Sequence, residues 1–178
     1  MITVQWRAFP LHPDTPQEGL TLEELFAGRG RNIEEMKLRL KRVAEELGLP
    51  LGERTRTYSS RLAQELAKWA EAKGKGDEFH DAVFRAYFVG GRNIAQIDAL
   101  AGLAQEVGLS ADEARIIVRE RRFREAVDAD WMRSHQMDIT AVPTFVMGRE
   151  AVVGAQPYEV LEQFLVRNKV KRRSGGRP

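Results

Sequence analysis

The sequence predicts an α/β fold in which a long helical block is inserted into a sheet. Strand-like patterns occur near the two ends of the chain, within residues 2–9 and 144–153, whereas residues 21–137 have helical periodicity almost throughout. Because strands that are far apart in sequence must meet in one sheet to bury their apolar faces, the helices between them form an insertion. A chain of 178 residues is long enough for one compact domain that carries such an insertion.

The composition is that of an ordinary globular protein that contains no thiol. Apolar residues make up 43% of the chain and charged residues 30%, and there is no cysteine. The sequence as given therefore excludes a disulfide, a thiolate nucleophile and a cysteine-ligated metal site. His12, His80 and His135 are scattered and lack the spacing of zinc ligands, so we expect no metal.

Positive charge is concentrated at the C-terminus. Residues 169–178 contain five basic residues and no acid, and without these five the formal net charge changes from +2 to −3. Such a short basic segment is more often a solvated, disordered tail than a contact to nucleic acid or lipid. The basic run Arg119–Arg124 is interpreted as a solvated helix face. No apolar run is long enough to span a bilayer, and residues 1–7 lack the pattern of a signal peptide, so we expect a cytoplasmic protein.

The N-terminal segment alternates apolar and polar residues. Ile2, Val4 and Trp6 would share one face, which predicts a strand within residues 2–9. The prolines and the glycine in residues 11–19 predict an extended linker after it.

The helical block consists of amphipathic segments separated by glycines. Thr21 with Glu24, and Ser110 with Glu113, have the spacing of capping boxes, in which side chains at a helix start satisfy free backbone N–H groups. Between these caps, apolar residues recur every three to four positions. They are Met36, Leu40, Val43 and Leu47; Leu62, Leu66 and Trp69; Phe79, Val83, Phe84, Tyr87 and Phe88; and Ile94, Ile97, Leu100 and Ala104. A last helix is predicted from about Phe123 to Gln136.

After the helical block the pattern becomes that of a hairpin followed by a helix. Residues 144–147 and 150–153 are apolar, strand-like runs, and the two residues between them begin with a glycine, which is typical of a tight hairpin turn. Gln156 and Pro157 then open a helix with proline at its first position.

Four stretches of this sequence resemble one protein family. They are Val4–Gly19, Phe84–Ile94, Ile139–Met147 and Val153–Pro157. The family is that of DsbA-like oxidoreductases of the FrnE type, which belong to the thioredoxin superfamily. In order, the four stretches resemble its second strand with the following loop, a segment of its helical domain, its cis-proline loop with the third strand, and the start of its final helix. Related 2-hydroxychromene-2-carboxylate isomerases and kappa-class glutathione transferases share this architecture. The resemblance covers nearly the whole chain except its basic tail.

The resemblance implies a thioredoxin-like fold with a large helical insertion. Residues 1–20 and 138–168 would form the thioredoxin-like subdomain, and residues 21–137 would form the inserted helical domain. Residues 169–178 would remain as a basic disordered tail.

The resemblance also implies where a substrate binds. The bond between Val142 and Pro143 would be cis, although X-Pro bonds in general are more often trans. Val142 would then present its N–H and C=O groups to an extended thiol-containing peptide or to glutathione. The implied substrate-binding residues are Val142, Pro143 and Thr144, and the loop residue His12 is a candidate for lining the same groove.

The sequence departs from the family at the catalytic motif. Family members begin with a strand followed by Cys-x-x-Cys, or by a serine in the isomerase and transferase branch, at the start of the first helix, where the helix dipole lowers the thiol pKa. Here Met1 corresponds to a point just before the second strand, so we expect the usual first strand and first helix to be lacking and predict no catalytic residue. The missing strand would leave a gap of about 9–10 Å in the sheet. We expect an upstream start, closure of the two half-sheets, or pairing with another chain, such as a homodimer through exposed sheet edges.

Three functional hypotheses remain open at this point. The first is a dithiol–disulfide oxidoreductase of the DsbA family that is redox-inactive as given, because it lacks Cys-x-x-Cys. The second is a non-catalytic module that binds extended peptides at the cis-proline loop. The third is a glutathione-dependent isomerase or transferase, for which glutathione would be the only cofactor. The sequence does not decide among them, nor whether the chain is an enzyme, and no nucleic-acid or membrane partner is expected.

Overall fold

The computed structural model describes residues 2–28 and 32–171, which form eight α-helices, one π-helical turn and four short strands. The chain divides into two compact units, with boundaries between Leu11 and His12 and between Asp128 and Ala129. We call the part between these boundaries the helical unit, and the two flanking segments together the terminal unit.

The helical unit contains most of the secondary structure. Its elements in chain order are β1 (Leu20–Thr21), α1 (Leu22–Leu25), α2 (Ile33–Glu46), β2 (Arg56–Thr57), α3 (Arg61–Ala72), α4 (Gly76–Phe84), a π-helical turn (Arg85–Val89), α5 (Ile97–Glu106), α6 (Ala111–Arg119) and the start of α7 (Arg124–Gln136). Thr21 and Glu24 form the predicted capping box at α1, and the Ser110 hydroxyl accepts a hydrogen bond from the Glu113 N–H (3.2 Å) at α6. β1 and β2 pair antiparallel and were not predicted, because two residues are too short for an alternating pattern.

The core of the helical unit is formed by α3, α4, α5 and α6. α3 packs against the other three helices, and α5 packs against both α4 and α6. The large side chains buried between them are Leu66, Trp69, Phe79, Leu100, Leu103 and Val118. Most of them belong to the predicted apolar stripes, so the helical periodicity of α3, α4 and α5 identified these core positions correctly. Phe84, also in the predicted stripe of α4, is instead 47% exposed.

One carboxylate is buried beside this core. Glu65 is 1% exposed, and its two carboxylate oxygens accept hydrogen bonds from Arg121 Nε and Nη2 (2.7 Å each) and from Arg61 Nε (2.6 Å). Burial acts to raise the pKa of Glu65, but the hydrogen bonds from the two guanidinium groups outweigh it and hold the pKa below its ordinary value. The interpretation of residues 119–124 as a solvated helix face is therefore wrong for Arg121 in one respect: this side chain is 40% exposed, but it follows α6 and ties this segment to α3.

The terminal unit contains a small hairpin and the last helix. Its elements are the end of α7, β3 (Thr144–Met147), β4 (Glu150–Val153) and α8 (Tyr158–Arg167). β3 and β4 pair antiparallel across a two-residue turn, which confirms the predicted hairpin. α8 begins at Tyr158 with Pro157 as its N-cap, so the helix starts one residue later than predicted.

The predicted strand within residues 2–9 is wrong. Residues 2–10 have no regular secondary structure, and the apolar residues that alternate along them are largely exposed. Alternation produces a strand only where a neighbouring backbone can accept and donate the ladder hydrogen bonds. Here the backbone N–H of Ala8 instead donates to the side chain of Asp130 (3.0 Å), so a side chain takes the place of a neighbouring strand.

Candidate peptide-binding site

The predicted substrate-binding residues lie in the loop that leads into β3. The bond between Val142 and Pro143 is cis, which is the isomer that the resemblance implies. The Thr144 hydroxyl donates to the carbonyl oxygen of Ala141 (2.7 Å), and the N–H of Gly154 donates to the carbonyl oxygen of Pro143 (2.7 Å). The second of these bonds extends the pairing of β3 with β4 by one position into the loop.

The register of the hairpin determines which backbone groups of β3 remain available. The carbonyl oxygen of Pro143 accepts a hydrogen bond from the residue that follows β4. In an antiparallel pair every second residue faces the partner strand, so Phe145 and Met147 direct their N–H and C=O groups toward β4. Thr144 and Val146, between those positions, direct theirs to the opposite edge. Within residues 2–28 and 32–171, β4 is the only strand that pairs with β3, so this edge is open.

Val142 adds a further pair of backbone groups beside the open edge. It is 44% exposed, and in the part of the chain that the structure describes its N–H and C=O groups have no hydrogen-bond partner. The apolar side chains of Phe145, Val146 and Val153 are also exposed around the hairpin. The site therefore offers backbone donors and acceptors framed by apolar side chains, which suits an extended polypeptide.

His12 lies in the helical unit, whereas the loop around Pro143 lies in the terminal unit. The carbonyl oxygen of His12 accepts a hydrogen bond from the Thr15 N–H (3.2 Å), and its ring meets that of Phe26 edge-on, with 6.3 Å between the ring centroids. These contacts are local to the helical unit. A role of His12 in lining the substrate groove therefore stays a prediction.

The remaining histidines give no sign of a metal centre. The ring of His80 lies 6.1 Å from that of Phe84, and burial lowers the pKa of this imidazole. Among the residues that the structure describes, no three His, Asp or Glu side chains are grouped so that they could hold a metal ion.

A second buried carboxylate holds the N-terminal segment of the terminal unit. Asp130 in α7 is 3% exposed, its Oδ1 accepts from Arg7 Nη1 (2.9 Å), and its Oδ2 accepts from the Ala8 N–H (3.0 Å). Because the two oxygens hold a side chain and the adjacent backbone, this aspartate fixes residues 7 and 8 to α7. Asp130 was not predicted from the sequence, because it is one of three acids in a helix of mixed polarity and leaves no periodic signal.

Comparison with known proteins places these features in a family. The model of the DSBA-like thioredoxin domain matches residues 1–166 of the chain. An uncharacterised Bacillus subtilis protein, YwbO, is 33% identical over 112 residues, which cover 62% of this chain and 56% of that protein. The match therefore spans little more than half of the length of this relative.

Several solved structures share the fold. A probable DsbA oxidoreductase from Streptomyces coelicolor superposes with a TM-score of 0.83 and 28% identity, covering 97% of this chain and 77% of that one. A 2-hydroxychromene-2-carboxylate isomerase superposes with a TM-score of 0.68 and 21% identity, covering 76% of this chain and 66% of that one. The cytosolic disulfide reductase DsbM from Pseudomonas aeruginosa, solved with GSH, superposes with a TM-score of 0.57 and 22% identity, covering 84% of this chain and 81% of that one. The fold is thus thioredoxin-like and rich in helices, as the sequence predicts. The chain belongs to the family of DSBA-like thioredoxin domains.

Proposed function

We propose that this chain binds an extended, thiol-containing polypeptide along the open edge of β3, as the substrate-binding part of a DsbA-family dithiol–disulfide oxidoreductase. The observation that carries the proposal is the set of unbonded backbone groups at Val142, next to the outward-directed groups of Thr144 and Val146. The 178 residues contain no cysteine, so the chain as given binds substrate without carrying out thiol exchange.

Recognition in this proposal depends mainly on the peptide backbone. A polypeptide that adds a strand to an exposed edge forms N–H···O=C bonds that do not depend on its sequence, which suits a protein that must accept many unfolded substrates. Each such bond contributes about 1 kcal/mol net. After the cost of association, a few of them give weak binding, with a Kd on the order of 0.1–1 mM.

Side chains around the edge add a preference for apolar residues. Val142, Phe145 and Val153 are exposed, and each has surface that an apolar side chain of a bound peptide would cover. Apolar residues that are accessible in a polypeptide mark a chain that has not finished folding. This preference fits an oxidoreductase that acts on proteins before they are fully folded.

Glutathione is the second candidate ligand, as part of a glutathione-dependent isomerase or transferase. It is favoured by the likeness in fold to the isomerase and to DsbM, whose structure contains GSH. Glutathione is itself a short thiol peptide, so it would pair with the same backbone groups at Val142. A non-catalytic peptide-binding module would use this edge as well, and so would a homodimer formed through the sheet edges.

We also propose how the chain divides into parts and where it is located. In this proposal residues 1–20 and 138–168 are the substrate-binding, thioredoxin-like part and residues 21–137 the helical domain, whereas the compact units divide at residues 11/12 and 128/129. Residues 169–178 are a basic tail, of which 172–178 lie outside the described residues. A cytoplasmic location is supported by the likeness to a cytosolic reductase. None of the helices that the structure describes has both the length and the apolar character needed to cross a membrane.

The test is a calorimetric titration with three matched peptides. The first is a ten-residue peptide with one cysteine and alternating apolar residues. The second and third are the same peptide N-methylated on the odd-numbered or on the even-numbered amides. Because each set of methyl groups removes donors along one edge of the peptide only, we expect the set that faces β3 to weaken binding by at least tenfold and the other set to weaken it little. Reduced glutathione, titrated in parallel, distinguishes the second candidate.

A pair of valine variants locates the site. Val142→Lys places a flexible charge beside the open edge and should weaken peptide binding at least fivefold, since lysine blunts strand edges. Val166→Lys is the matched control, because Val166 is an exposed valine on α8 of the same unit. Equal binding of the two methylated peptides, or equal effects of the two variants, would contradict the proposal.

A further inference from the structure

The helix α2 has an apolar stripe that its own chain does not cover. We define the α2 stripe as Met36, Leu40, Val43 and the C-cap residue Leu47, which are between 38% and 66% exposed. Of the 14 residues of α2, all of them described, only Ala44 is buried. No other helix or strand in the described ranges packs extensively against α2. An amphipathic helix normally buries its apolar stripe, so this surface lacks a partner within the chain.

The spacing of the stripe is that of a coiled-coil seam. Its members are separated by four, three and four residues, which places them at alternating a and d positions of a heptad. At 100° per residue they span only about 60° of the helix circumference, and the centre of the stripe lies about 70° from Ala44. The residue that anchors α2 to its own unit is therefore beside the stripe rather than within it.

We propose that the α2 stripe is an interface with a second copy of this chain, in which the two α2 helices pack antiparallel. The stripe is symmetric about its midpoint, so an antiparallel pair places Met36 opposite Leu47 of the second copy and Leu40 opposite Val43. Each patch then meets an identical patch across a twofold axis, which is the most common arrangement in homodimers. Apolar side chains interleave along the whole seam.

The charges beside the stripe fit the antiparallel direction. Arg39 and Glu46 lie on the flank remote from Ala44, both at g positions of the heptad. An antiparallel pair brings Arg39 next to Glu46 of the second copy, and symmetry repeats the contact. A parallel pair would instead bring Arg39 next to the uncharged Ala44. Within residues 2–28 and 32–171, neither Arg39 nor Glu46 forms an ion pair, so both charges are available for this contact.

The interface is small, so the dimer should be weak and dependent on concentration. Two helices of 14 residues bury less area than a standard protein interface. We expect a Kd on the order of 10–100 µM, because the gain from the seam is offset by the cost of association. Sedimentation velocity on the full chain between about 5 and 500 µM covers this range.

Leu40→Lys and Leu38→Lys form a matched pair of variants for the test. Leu40 is in the stripe, whereas Leu38 is 63% exposed on the opposite face of the same helix. We expect Leu40→Lys to weaken dimerisation at least tenfold and Leu38→Lys to change it less than twofold, with unchanged far-ultraviolet circular dichroism in both. A monomer at every concentration would overturn the proposal, as would a dimer insensitive to Leu40→Lys, which would place the contact elsewhere, for example at the β3 edge.

A charge swap tests the direction of the helices. Arg39→Glu and Glu46→Arg should each weaken the dimer about three- to tenfold at low salt, because each places like charges together. The double variant should restore the Kd to within about twofold of the original, since it exchanges the two members of each pair. Failure of the double variant to recover would overturn the antiparallel arrangement.

Discussion

Replacement of Glu65 by glutamine should strongly destabilise the helical unit. The carboxylate is 1% exposed and accepts three hydrogen bonds from Arg61 and Arg121. Glutamine keeps one acceptor oxygen and turns the other position into a donor that faces guanidinium N–H groups. With the amide oxygen in the place of Oε1, one hydrogen bond is lost outright and the other two no longer have a charged acceptor, so we expect a loss of about 3 kcal/mol. This is a large share of the roughly 5–15 kcal/mol by which domains are stable.

Urea denaturation followed by circular dichroism at 222 nm measures this loss, because most of the helices are in the helical unit. With a urea dependence of about 2 kcal/mol per molar, the midpoint should fall by about 1.5 M. Glu71→Gln is the matched control, since Glu71 is a partly exposed glutamate on the same helix and pairs only loosely with Lys68 (3.7 Å). Its midpoint should change by less than about 0.25 M.

The pH dependence provides an independent check. The pKa of Glu65 is lowered in the folded protein from an ordinary value of 4.5, so its stabilising contribution is present above that value and is lost as the pH falls through the folded pKa. The difference in stability between the native chain and Glu65→Gln should therefore be largest near neutral pH and shrink in acid. A midpoint shift below about 0.5 M at pH 7, or a difference that does not depend on pH, would refute this reasoning.

Three further substitutions test other features of the structure. Leu100→Ala empties a fully buried site and should cost about 2–5 kcal/mol in urea denaturation, and a loss below 1 kcal/mol would mean that Leu100 is not in the core. Gly52→Ala brings a methyl group against the carbonyl oxygen of Val89 and should lower stability by about 1–3 kcal/mol, whereas an unchanged melting temperature would argue against this close approach. Asp130→Asn removes the charge that holds Arg7 and should accelerate hydrogen exchange at the Ala8 amide by about tenfold, and unchanged protection there would exclude the anchoring role.

Local sequence patterns predicted the elements whose stability depends on local contacts. The Thr21 and Ser110 caps use residues three positions apart, and the hairpin at residues 144–153 depends on a glycine turn between apolar runs. Such features need no knowledge of distant parts of the chain. The location of the candidate site, in contrast, came from the family resemblance, because nothing in the composition around Pro143 distinguishes it from an ordinary turn.

Predictions failed where the outcome depended on a distant partner. Residues 2–9 alternate like a strand, but they bind Asp130 and form no ladder. The sequence around Arg121 is typical of a surface segment, and no local pattern indicates its hydrogen bonds to the buried Glu65, 56 positions away. For α2 the periodicity correctly predicted an amphipathic helix, but periodicity cannot show whether anything covers its apolar stripe.

The anchor at Asp130 has a consequence for the synthesis of the protein. The Ala8 N–H and the aspartate that accepts its hydrogen bond are 122 residues apart in the chain. At about 5–20 residues per second, a ribosome takes roughly 6–25 s to add the residues between them. During that time most of the helical unit is made, and its helices can begin to pack against near neighbours in sequence, while residues 7 and 8 still lack their partner. Residues 7 and 8 are thus made well before the aspartate that fixes them, and they reach their native position only after most of the helical unit has been made.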